Sequence, residues 1–168
     1  MTTAAYPRVH LLVCGNVDRR DDGAALWAVS HLLAGMGELI APELTVIQCG
    51  QLNIDDLVGL DGPALIVDTA IGVAPGDVVT LDFDDLLRHP KAAAPHSSHA
   101  LPIDQVIGVA RNLSDRPIDG LFVGIGAADV GYGAGLSTPV RESMGKFVME
   151  IERALVRLFS NSMATVAG

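Results

Sequence analysis

The sequence predicts an α/β fold with a parallel sheet covered by helices on both faces, and three observations lead there. Short apolar runs alternate with segments whose apolar residues recur at helical spacing. The first run, residues 9–14, is continuously apolar apart from His10, as in a strand buried on both faces. Each run is followed by polar or glycine-rich residues, where an open parallel sheet carries its ligands beyond the carboxyl ends of its strands. The chain has 168 residues, 49% hydrophobic and 18% charged, so a single domain over residues 1–168 with an ample core is expected. Its 18 glycines and few aromatics favour close helix–sheet packing and loops that approach a ligand.

After the first strand, residues 15–21 form a polar turn. A helix over 22–37 follows, with Ala25, Val29, Leu32 and Leu33 on one face, and Asp21 or Asp22 stands at its N-cap position. Residues 44–48 read as a second strand and 54–57 as a short helical turn. The third strand, 64–68, stops on the acidic Asp68. Pro75-Gly76 marks a turn before a fourth strand at 77–81. Residues 82–97, with Pro90 and Pro95, read as a surface loop holding one short helical piece. A helix over 98–112 is interrupted early by Pro102. The last strand is 120–125, followed by a mobile glycine-rich loop, 126–135, that lines a cleft. A final helix runs from Ser137 to about Phe159, and a frayed tail is expected after Ser160.

Several function classes are disfavoured by composition. A net charge of −9 and a pI near 4.7 oppose nucleic-acid binding, which needs a basic surface, and attachment to an anionic membrane. A basic peptide partner is electrostatically compatible. No apolar stretch reaches the ~18 residues of a membrane span. Residues 1–7 lack the basic-then-apolar pattern of a secretion signal, so a cytoplasmic location is expected. Cys14 and Cys49, without CxxC spacing, are expected as reduced thiols.

The polar residues at strand ends are the ones that can carry chemistry: Asn16 with Asp21 and Asp22, residues 48–51, Asp68 with Thr69, and the loop from Gly126. Asp22 follows the first strand and Asp68 closes the apolar run 64–67, where a carboxylate is costly unless it has a partner. Asp22 is equally readable as a helix cap. The segment His96-Ser-Ser-His99 adds imidazoles at a loop-to-helix junction, as ligands or as plain surface residues. Two carboxylates and one imidazole suit zinc, nickel or a similar divalent ion and leave coordination positions open. The glycine loop matches neither GxGxxG nor the P-loop, and GxSxG is absent.

The stretch Leu11-Leu-Val-Cys-Gly-Asn-Val-Asp-Arg-Arg-Asp-Asp-Gly23 resembles the amino-terminal signature of the nickel–iron hydrogenase maturation endopeptidases. Leu65-Ile-Val-Asp68 with Ala74-Pro-Gly76 resembles their second acidic motif, and Ser97-Ser-His99 their Ser-x-His element. Val123-Gly-Ile125 and Gly135-Leu-Ser137 resemble their closing strand and helix start, so the likeness spans about residues 8–155. It implies a three-layer sandwich with a central, mostly parallel sheet of about five strands. The implied activity is removal of the carboxy-terminal extension of a hydrogenase large-subunit precursor after nickel insertion, by an endopeptidase of the aspartic type in family classification. The implied metal contacts fall on Asp22, Asp68 and His99, and the implied metal is a divalent ion, nickel carried by the substrate. Three departures stand out: Val13 replaces the first glycine of Gly-x-Gly-Asn, predicting a less tight turn, Asp22 replaces the commoner Glu, and Ala24-Ala25 follow Gly23 where a further glycine is common. Two further readings compete: a non-catalytic module sensing nickel loading, and a small-molecule hydrolase or phosphorylase on a similar sheet.

Overall fold

In the computed structural model, which describes residues 8–36, 43–70, 72–88 and 101–166, the continuous apolar run Val9–Cys14 is β1, buried along its whole length. It lies inside a five-stranded sheet with β2 (Leu44–Gly50), β3 (Ala64–Ala70), β4 (Val78–Asp82) and β5 (Gly120–Gly126), in the order β2-β1-β3-β5-β4. All pairings are parallel except the edge strand β4, which runs antiparallel to β5. The central β3 is buried at every position, whereas the edge strand β2 holds only exposed and half-buried residues.

Among the described residues, four α-helices cover the sheet: α1 (Ala24–Met36), α2 (Phe83–Arg88), α3 (Ile103–Leu113) and α4 (Thr138–Val166). Leu11 and Val13 of β1 and Leu65 and Val67 of β3 pack on one side against α1 and α4. Leu12 and Cys14, with Ala64 and Ile66, pack on the other side against α2, α3 and the 3-10 turn Ile54–Asp56. The small residues Ala24, Ala25 and Ala28 are fully buried and bring α1 close to the sheet. Burying Val29 and Leu32 beside them contributes about 1.5–3 kcal/mol each.

Several expectations are corrected. The first helix begins with a 3-10 turn, Arg20–Gly23, so Asp21 and Asp22 lie inside that turn rather than at an α-helical N-cap. Asp68 does not end its strand, which continues through Thr69 and Ala70. The short helical piece expected within 82–97 is α2, and its Phe83 and Leu86 are buried rather than lying on a surface loop. Pro102 starts α3 rather than interrupting it, and its carbonyl accepts the Val106 N–H at 3.1 Å. The last helix does not fray at Ser160 but runs to Val166. Residues 89–100, including His96 and His99, lie outside the described residues.

Candidate active site

In this strand order the chain leaves β1 toward β2 on one side and returns to β3 on the other, so a crevice opens beyond the carboxyl ends of β1 and β3. Asp22 enters it from the turn after β1 and Asp68 from the end of β3, and both are buried. Thr69 joins them. Its hydroxyl donates to Asp22 Oδ1 at 3.2 Å, and its backbone N–H donates to Asp68 Oδ1 at 2.8 Å. Strand alternation makes this possible: Asp68 shares a face with Ile66, whereas Thr69 shares one with Val67, toward α1. Thr69 stood among the strand-end polar residues in sequence, but only the fold assigns it as the bridge.

The turn that presents Asp22 depends on Gly15. Its φ is +123°, and a side chain there would collide with the Asp22 carbonyl, which accepts the Asn16 N–H at 3.1 Å. Val13 does not loosen this turn. It sits within β1, fully packed, in register with Gln48 and Val67, and leaves the bend to Gly15.

Asp21 has a different task from its neighbour. Its Oδ2 accepts N–H groups from Ala128 at 2.9 Å and Asp129 at 3.0 Å and the Ser137 hydroxyl at 2.8 Å, while Oδ1 accepts the Ser137 N–H at 2.7 Å. Burial opposes its ionisation, but the Ser137 and Asp129 donors outweigh that and hold the carboxyl below its ordinary pKa. Nearby, Arg19 Nε donates to the Val130 carbonyl at 3.1 Å and its guanidinium lies 5.7 Å from the Tyr132 ring centre. Arg20, at φ +47°, pairs with Asp129 at 3.3 Å. The glycine-rich loop expected to be mobile is thus stitched to the β1 turn. The sequence signal for this role was slight: two adjacent acids, one of them facing a serine at the start of the last helix.

On the α2/α3 side of the crevice, Cys14 is buried and Cys49 half-buried, both as free thiols. The Cys49 thiol beside it, its burial and the Asp68 charge together push the Cys14 thiol well above the ordinary range. Between α1 and the amino-terminal half of α4 runs an apolar groove of about 450 Å³ lined by Trp27, His31, Leu136, Met144 and Val148, with Trp27 56% exposed.

Asp22 and Asp68 thus each accept a hydrogen bond from Thr69, one from its hydroxyl and one from its backbone N–H, and the third expected residue, His99, lies outside the described residues. Among the described residues no cluster of three His, Cys, Asp or Glu side chains is arranged to hold a metal ion.

No curated protein sequence matches the chain. Among solved structures, the hydrogenase maturating endopeptidase HybD from E. coli superposes with a TM-score of 0.72 at 18% identity, covering 89% of this chain and 93% of that one. The [NiFe] hydrogenase maturation protease HybD from Thermococcus kodakarensis gives 0.65 at 25% identity, covering 87% and 97%. A hydrogenase 2 maturation peptidase from a Thaumarchaeota archaeon gives 0.60 at 18% identity, covering 88% and 97%. At such identities the E. coli and archaeal likenesses speak to the fold. The sequence model of the HycI hydrogenase maturation protease family matches residues 28–154, three quarters of the chain, and this protein belongs to that family.

Proposed function

We propose that this protein is a cytoplasmic endopeptidase that removes the carboxy-terminal extension of a nickel–iron hydrogenase large-subunit precursor once nickel is in place. The observation that carries this reading is the pair of buried carboxylates, Asp22 and Asp68, held through Thr69 at the crevice between β1 and β3. Family membership supplies the substrate class.

The donor set fits a divalent ion. Two carboxylates buried in one crevice are costly unless positive charge offsets them, and carboxylate oxygens with an imidazole suit nickel or zinc. Asp22, Asp68 and His99 would contact the nickel that arrives with the precursor. A divalent ion held there would polarise the scissile carbonyl and acidify water. The chain's own part is orientation: Thr69 holds one oxygen of each carboxylate, so their directions are set before the substrate binds. One carboxylate serves as general base, accepting a proton from the attacking water. The apolar groove at Trp27 and Leu136 favours a protein substrate over a small molecule, because Leu136 adjoins Ser137, which holds Asp21.

The test is to mix the protein with large-subunit precursor, nickel-loaded or nickel-free, and weigh the products. Loss of the extension from the loaded precursor alone is expected. A loaded precursor whose mass is unchanged overturns the peptidase reading and leaves the nickel-sensing module in its place.

A further inference from the structure

The wall of the crevice carries a chemistry that the peptidase reading does not use. Leu12 of β1 pairs with Ile47 of β2, and both side chains enter the same cluster between the sheet and α2/α3. Two residues further along each strand, on that same face, stand Cys14 and Cys49. The register slips here, so that Val13 faces Gln48 but Cys14 faces Gly50, and Cys49 occupies the irregular position beside Cys14. Neighbouring strands lie about 4.8 Å apart, and disulfides bridge Cα separations of about 4.4–6.8 Å. The Cys49 thiol lies 3.9 Å from the Ile47 carbonyl, at the end of the strand beside Cys14, and Cys14 is a buried free thiol. They are the only cysteines in the chain.

The geometry points to Cys14 and Cys49 as a reversible disulfide pair, a thiol modification site for peroxide built into the wall of the active-site crevice. Cys49, half-exposed, meets the oxidant first. Its sulfur attacks one peroxide oxygen, the O–O bond breaks, the other oxygen leaves as water with the thiol proton, and Cys49 becomes a sulfenic acid. The Cys14 sulfur then attacks the Cys49 sulfur and forms the S–S bond. The sulfenic oxygen departs as a second water with the Cys14 proton, so two thiols are oxidised and one peroxide is reduced. The link would act on the site through the backbone, since Gly15 N–H donates to the Gly50 carbonyl at 2.8 Å and Asn16 N–H to the Asp22 carbonyl at 3.1 Å. Drawing Cys14 toward Cys49 therefore moves the turn that presents Asp22.

Fully reduced protein is treated with hydrogen peroxide, denatured, labelled with a maleimide and weighed. The expected product is a monomer about 2 Da lighter, with no reactive thiol and with both restored by dithiothreitol. Cys49→Ser, at a half-exposed position, should keep its single Cys14 thiol through the same treatment. Added oxygen on Cys49 with Cys14 still reactive, a covalent dimer, or equal loss of Cys14 in Cys49→Ser would each overturn the pair. A second readout rests on the peptidase reading: precursor processing falls several-fold on oxidation and returns with dithiothreitol. Equal processing by both forms overturns the coupling to Asp22. If reduced protein processes nothing, the peptidase reading fails, while the thiol count still decides the pair.

Discussion

The two ends of the sheet handle charge in opposite ways. At the amino ends, Arg8 pairs with Asp61 at 3.2 Å, the His10 ring meets Asp61 at 2.8 Å, and Arg111 reaches Asp84 at 2.7 Å and Asp119 at 3.2 Å. Asp61, Asp84, Arg111 and Asp119 border a cleft of about 690 Å³, roomier than the groove at Trp27, and most of these side chains remain in contact with water. At the carboxyl ends, Asp21, Asp22, Asp68 and Thr69 are each at most 2% exposed. Exposed ion pairs are weak and tolerate loss, whereas buried carboxylates must be satisfied by fixed donors or by a bound cation. Room and buried charge are therefore separated in this molecule, and burial of charge, not cavity size, singles out the end we propose as the active one.

The sharpest break in that comparison comes from Asp22 and Asp68. Asp22→Asn and Asp68→Asn keep size but remove charge, and each should lower precursor cleavage by more than the ~10–100-fold typical of losing a residue that merely orients a ligand. Melting temperature should stay nearly constant. Asp22→Glu should retain measurable cleavage. Unchanged processing in Asp22→Asn would return Asp22 to a purely structural role in its turn. Alongside these, His99→Ala should abolish cleavage and His96→Ala should leave most of it, with the reverse pattern moving the third contact to His96.

Asp21 separates anchoring from chemistry at the same end of the sheet. Asp21→Ala strands the Ala128, Asp129 and Ser137 donors and should cost about 3 kcal/mol or more in urea unfolding. Because its folded pKa lies below the ordinary value, its contribution is complete above about pH 4 and is lost as pH falls through the folded pKa. Asp21→Asn should therefore flatten the acid limb of stability, and an identical acid limb in wild type and variant would refute this assignment.

Thr69 gives a smaller effect because it acts through the carboxylates. Thr69→Val should lower cleavage roughly tenfold, and Thr69→Ser, which keeps the hydroxyl, should restore most of it. A valine variant as active as wild type would remove the bridge from the mechanism. The smallest effect belongs to the opposite end. Arg8→Ala breaks an exposed pair and should change stability by less than ~1 kcal/mol with no change in processing. A large loss of cleavage there would mean that the amino end of the sheet takes part.

Much of the fold was legible because its determinants are local. The run at residues 64–67 is apolar on both strand faces, and the alanine-rich stretch after Asp22 keeps a helical period, so β3 and α1 could be placed directly. Boundaries slipped where tertiary contacts decide them. Asp68 looked like a terminus because it is charged, yet β5 continues to pair beyond it through Thr69 and Ala70. A short helical piece was expected within 82–97, but its bounds and its burial were not legible because only Phe83 and Leu86 carry its buried face.

The candidate site divides along the same line. Sequence alone determined that acids follow two apolar runs and that their motifs resemble those of one peptidase family, since residue type and spacing are properties of the chain. The resemblance put the metal contact on Asp22, but residue type and spacing gave its neighbour Asp21 no task beyond a possible helix cap. Only the tertiary structure decided that Asp21 faces Ala128, Asp129 and Ser137, more than a hundred residues away, while Asp22 faces Thr69 across the crevice. Neighbouring residues in a turn point in different directions, and the donors that meet them come from strands and loops distant in sequence, so their roles exist only once the sheet has assembled.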